Sequence, residues 1–222
     1  MDSTRKISIT TGALLLVATG SAVAAAALSP ALTGPGYLTG LADHSNQMAV
    51  SALAYLIAAG TSVGIAIALY PLLKQESAAL ALGSVVFRTI EAAFYTAAVV
   101  SLLSISTLGQ QLVTTPVANR ATIQAIADSL LSGRDHATLA AVFAFSLGAL
   151  MYYVVFFGSR LVPRWLAGWG IAGATLMMTA CLMAMFSDKP VTGYTLFSPA
   201  HRRPGNRHRR LAAGQRLQSV DP

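Results

Sequence analysis

Arg88 and Glu91 are the side chains in this sequence best placed to do chemistry. They stand three residues apart inside a long apolar run, a spacing that puts both on one face of a helix. Ser84 lies one turn before them and Tyr95 one turn after. A carboxylate beside a guanidinium can hold a proton, bind an ion or a small polar ligand, or neutralise its partner. A charge at the centre of a membrane span costs about 2.5–3.5 kcal/mol, so this pair must face a bundle interior and not lipid. Ser84, Arg88, Glu91 and Tyr95 therefore form the candidate binding stripe. Two readings stand for it: a neutralised pair that fixes helix packing, or a polar cavity for an ion, a proton or a small ligand. Asn46 and Gln47 lie near the end of a span and are not counted as its partners.

Other candidates carry weaker chemistry. Gly60 and Gly64 form a Gly-x-x-x-Gly pair suited to close helix packing, and Gly168, Gly170 and Gly173 repeat the theme. Asp43-His44 and Asp135-His136 supply metal-ligand types, but adjacent ligands in two separate hydrated loops do not make a metal site. Cys181 sits in an apolar run without a basic neighbour, which argues against a reactive thiolate. The sequence contains no His-Glu-x-x-His, phosphate-binding loop, dinucleotide-binding glycine motif or nucleophile elbow. No catalytic residue, metal or cofactor is assigned.

The elements that must position these residues follow from composition. Of 222 residues, 55% are hydrophobic and 10% charged, with a mean hydropathy of +0.61. Soluble domains carry about 25% charged residues, so a water-soluble globule is excluded. Five runs, at 7–28, 48–73, 79–103, 137–157 and 165–186, are each near the length of about 20 residues that crosses a bilayer as a helix. Backbone groups cannot stay unpaired in hydrocarbon, and the alternation of a membrane β-barrel is absent. The fold class is all-α, an integral membrane helical bundle. The first run follows Arg5 and Lys6 and ends in small residues, as a cleaved signal peptide would. Its length favours a retained helix.

Basic residues set the expected orientation. With the N-terminus inside, the inner segments hold Arg5, Lys6, Lys74, Arg160 and Arg164, against Arg120, Arg134 and Lys189 outside. Trp165 and Trp169 then fall near the inner interface. The long segment 104–136 reads as an outer loop enclosing a short helix at 118–131, with an apolar stripe at Ile123, Ile126 and Leu130 that Ala127 can join. Thr115 or Asn119 is its expected cap and Gly133 its expected end.

The tail does not fit. Of the net charge of +7, residues 198–222 contribute +5, from six arginines and one aspartate. The mix of Arg, Pro, Ala, Gly and His is that of GC-rich coding sequence read out of frame. Codons allowed for residues 199–221, read one base later, can encode an amphipathic-to-apolar segment carrying a Gln-Glu pair and fit to be a sixth span. A sixth span would also return the C-terminus inside. The competing reading is a basic tail for anionic lipid or nucleic acid. The frame argument leaves nucleic acid off the expected partners.

The stretch Ala66-Ile67-Ala68-Leu69-Tyr70-Pro71-Leu72-Leu73-Lys74-Gln75-Glu76-Ser77, then Leu80-Ala81-Leu82-Gly83 and Phe87-Arg88-Thr89-Ile90-Glu91-Ala92, resembles an uncharacterised bacterial membrane family, domain of unknown function 4386. Gly12-Ala13-Leu14-Leu15 and Leu28-Ser29-Pro30 resemble that family's first span. The resemblance covers about residues 7–197. It implies six spans, where this chain as written has five, and a final segment much like the shifted reading. It implies no reaction.

The expectation is a multi-pass protein of the cell membrane with its N-terminus cytoplasmic. It handles a small solute or ion, or serves a membrane complex as a subunit. The alternatives are a membrane-embedded enzyme acting on lipid, with Glu91 as acid or base, and a structural membrane component. Arg88 and Glu91 are the only ionised groups in the spans, too few to mark a transporter, and a non-enzyme is the expectation. The bilayer is the expected partner, with a second copy or another membrane protein open beside it.

Overall fold

The computed structural model describes residues 3–186 apart from 33 and 35. The expectations for Lys189 and for the frame of 198–222 lie outside the described residues. Six helices occur among these residues: α1 (Ser3–Leu28), α2 (Tyr37–Ala42), α3 (Ser45–Glu76), α4 (Ala78–Thr114), α5 (Val117–Ser159) and α6 (Arg164–Met185). All but α2 are long and apolar enough to cross a membrane. No strand is present among the described residues.

The long helices pack in chain order, α1 on α3, α3 on α4, α4 on α5 and α5 on α6, with α2 lying on α4. Short connections enforce this order. A single residue, Ser77, separates α3 from α4; it is extended (φ −154°, ψ 106°), and its hydroxyl accepts from the Leu80 N–H at 3.4 Å. That hydroxyl caps the new helix while the chain reverses. Between α4 and α5 stand Thr115 and Pro116. A residue before proline is driven out of the helical region, and Thr115 is accordingly extended (φ −83°, ψ 135°).

The expected outer loop at 104–136 is corrected: α4 runs on to Thr114 and α5 begins at Val117. The polar residues there do not end the helix, because their hydroxyls bond to their own backbone. Ser104 donates to the Val100 carbonyl at 2.9 Å and Thr107 to that of Leu103 at 3.1 Å. Pro116, not Thr115 or Asn119, stands at the N-cap of α5, and no side chain caps it. Gly133 is interior to α5 with open space around it and ends nothing. With 43 residues, α5 is about 65 Å long, twice the hydrocarbon thickness.

The extra length builds a second layer of core where α4 meets α5. Leu38 and Leu41 of α2 are buried there with Leu102, Ile105 and Leu112 of α4 and Ala127 of α5. Gly109 permits this approach, since a Cβ on it would lie 2.8 Å from the Leu38 carbonyl oxygen. The Tyr37 hydroxyl fastens α2 by donating to Asp128 at 2.8 Å. At the opposite end a smaller cluster joins Leu69, Leu73, Ala81 and Val155. The charged pair lies between these two apolar layers.

Candidate functional site

Arg88 and Glu91 are 5% and 3% exposed. The Arg88 Nη1 lies 3.0 Å from the Glu91 Oε2, an ion pair across less than one turn of α4. Two further helices close on it. From α3, the Ser62 hydroxyl accepts from Arg88 Nη1 at 3.0 Å and shares its proton between the two Glu91 oxygens at 3.1 and 3.2 Å. From α5, the Tyr152 oxygen accepts from Arg88 Nη2 at 2.8 Å. The Phe145 ring, also on α5, lies 4.2 Å from the guanidinium carbon, a cation–π distance. The site is thus a charge pair wrapped by donors, acceptors and a ring from three helices. Arg88 Nε remains buried without a hydrogen-bond partner among the described residues.

Close packing of α5 on α4 makes this possible. A Cβ on Gly148 would stand 3.3 Å from the Phe87 Cβ, 3.4 Å from the Ser84 carbonyl oxygen and 3.5 Å from the Arg88 Cγ. Glycine there lets the α5 backbone lie against the stem of Arg88, which brings Phe145 and Tyr152 to its head.

The stripe divides. Ser84 is fully buried, but its hydroxyl donates to the Ala81 carbonyl at 2.8 Å, so it serves its own helix and not the ion pair. Tyr95 makes no direct hydrogen bond to Glu91 among the described residues. It lines a separate cavity of about 40 Å³ with Tyr55 of α3 and Arg134 and Thr138 of α5. Ser62, Phe145, Tyr152 and Gly148 are absent from the sequence reading. Nothing in the spacing along one helix shows which hydroxyl or ring of another will meet it.

The remaining candidates separate as well. A Cβ on Gly64 would meet Leu14 of α1 at 3.4 Å, whereas Gly60 has open space around it. Of the glycines in α6, Gly170 is covered by the Tyr153 ring, Gly168 has only the Phe157 ring at 3.9 Å and Gly173 has open space. His44 and His136 each bond through Nδ1 to a carbonyl four residues back, those of Gly40 and Ser132, both at 2.8 Å. Asp135 lies 3.4 Å from Arg134. No three His, Cys, Asp or Glu side chains come together to hold a metal ion among the described residues. Cys181 is buried and its thiol donates to the Leu139 carbonyl at 3.2 Å, joining α6 to α5.

The sequence model of the family described as Domain of unknown function (DUF4386) matches residues 10–201. The chain belongs to the DUF4386 family. The match takes in every residue of the ionic cluster on α3, α4 and α5. No curated protein and no solved structure matches the chain. The DUF4386 assignment and five apolar helices together make this a helical membrane protein.

Proposed function

We propose that this DUF4386 protein is a non-enzymatic, multi-pass component of the cell membrane, with its N-terminus cytoplasmic. In this reading Arg88 and Glu91 are a neutral clamp that fixes α3, α4 and α5 against one another. The observation that carries it is closure. Both groups are almost wholly buried, and both carboxylate oxygens accept from protein donors. Breaking a buried pair by removing one partner costs about 3–5 kcal/mol, because the other charge is left uncompensated. Partners from three helices make that penalty a penalty on rotating or separating any of them. The clamp suits a free-standing membrane component or a subunit of a membrane complex equally.

The cavity beside Tyr95 favours a second reading, small-solute or ion handling. At about 40 Å³ it has room for one water-sized occupant, and it begins one turn along α4 from Glu91. A lipid-directed enzyme would require headgroup access to Glu91 and further polar groups free beside it; Ser62 and Tyr152 are already engaged by the pair. A hydrophobic carbodiimide distinguishes the first two readings. Applied to the protein in its membrane, it is expected to leave Glu91 unmodified, as read by peptide mass spectrometry. Labelling of Glu91 would favour ion handling and count against the clamp.

The same reading includes a sixth span lost by a shift of frame, supported by the composition of residues 198–222. Resequencing the gene across the codons for residues 197 and 198 tests this. One base out of step is the expected result, and a clean frame removes the idea.

A further inference from the structure

At the end of the bundle where α5 turns into α6, an apolar groove of about 270 Å³ runs between the two helices. Its walls include Tyr153, Phe156, Val162, Leu166 and Trp169, and the Tyr153 ring packs directly on Gly170, which has no side chain to hold it off. In a membrane-embedded bundle this groove faces lipid: Trp169 is 79% exposed and the neighbouring Trp165 is 75% exposed. Tryptophan rings prefer the level of the headgroups. The groove therefore opens where hydrocarbon meets headgroup.

The same turn carries two cations. Arg160 is exposed and holds the left-handed backbone conformation (φ 58°) that ends α5. Arg164 opens α6, its guanidinium carbon 5.4 Å from the Phe157 ring centre. From residue 136 to residue 186 the sequence contains no aspartate or glutamate, and among the described residues neither arginine forms an ion pair, with Glu76 at the end of α3 or with any other acid. Val162, which lines the slot, lies on the turn between Arg160 and Arg164, so slot and turn together have two chemical demands, a hydrocarbon chain and an anion. Guanidinium binds phosphate oxygens in paired, charge-assisted hydrogen bonds. A second protein copy would satisfy the slot without using the arginines. A zwitterionic lipid would fill the slot with no net charge to pair.

We propose that this groove is a binding site for an anionic phospholipid, with one acyl chain between α5 and α6 and the phosphate at Arg160 and Arg164. The site is separate from the ionic cluster, and it stands or falls independently of the clamp.

The chain has two tryptophans, which supplies the assay. Trp165→Phe leaves Trp169, in the groove wall, as the sole tryptophan. The full chain is reconstituted in phosphatidylcholine vesicles containing, at equal mole fraction, brominated phosphatidylglycerol or brominated phosphatidylcholine. Quenching of Trp169 is expected to show a preference of roughly fivefold or more for the anionic lipid, on the scale of one interfacial cation. Arg160→Asn, which tolerates the left-handed turn, together with Arg164→Gln, is expected to bring the preference to about one. If that pair of changes prevents folding, raised ionic strength on the Trp165→Phe protein serves instead, because added salt screens exposed charges and should shrink the preference. Equal quenching by the two lipids before any arginine is changed would overturn the proposal. Absence of quenching by either would also overturn it, since protein would then cover the groove.

Discussion

The Arg88 guanidinium shows how a charge becomes tolerable in an apolar helix. Its Nη groups reach Glu91, Ser62 and Tyr152, and Phe145 covers it. The pairing of Arg88 with Glu91 was legible from their spacing, because three residues along a helix fix two side chains side by side. Ser62 and Tyr152 were not, because their arrival depends on the rotation of α3 and α5, which packing decides. The clamp makes its smallest members testable. Ser62→Ala leaves Glu91 with one fewer donor, and a loss of about 1–3 kcal/mol is expected in detergent unfolding. By the same measurement, Gly148→Ala should forfeit the gain of about 1 kcal/mol that alanine's helix propensity offers, because its Cβ would stand 3.3 Å from the Phe87 Cβ and one of the two must give way. Gly60→Ala is the contrast. Space around Gly60 is open, so alanine's better helix propensity, about 1 kcal/mol, should leave stability unchanged or raised.

Among the elements, α4 and α5 departed furthest from the sequence reading. Five apolar runs were legible as helices because hydrophobicity over about 20 residues is a strong signal. Where those helices stop was not. Polarity marks where a helix leaves hydrocarbon, while Thr115-Pro116 marks where it breaks. The layer beneath α2 gives two expectations. Gly109→Val should displace α2, because the new side chain meets the Leu38 carbonyl; proteolysis at 30–44 should quicken while the ionic cluster stays intact. Tyr37 supplies a pH dependence. Burial first, and then its bond to Asp128, push its hydroxyl from the usual 10.0 up to about 12. The folded protein thus favours the neutral phenol more than the unfolded chain does. That contribution is fully present below about pH 10 and fades as pH rises toward about 12. Unfolding of wild type and Tyr37→Phe, compared across pH, should show a gap below that window which closes through it.

For the whole molecule, the row α1–α3–α4–α5–α6 leaves most of its apolar surface to lipid and concentrates its buried charges at the middle. The family's description names no reaction, and the architecture is read from the helices themselves. What this chain's own residues add is a single ion pair on which three of the five long helices converge. The bundle should therefore respond to that pair as a unit. The decisive measurement is thermal unfolding in detergent of wild type, Arg88→Leu, Glu91→Gln and the double variant. Arg88→Leu strands a buried carboxylate and is expected to lose about 3–5 kcal/mol. The double variant, which buries no charge at the pair, should recover a substantial part of that loss, giving a coupling of about 1–3 kcal/mol. Single variants that unfold with the wild type, or losses that simply add, would contradict the clamp.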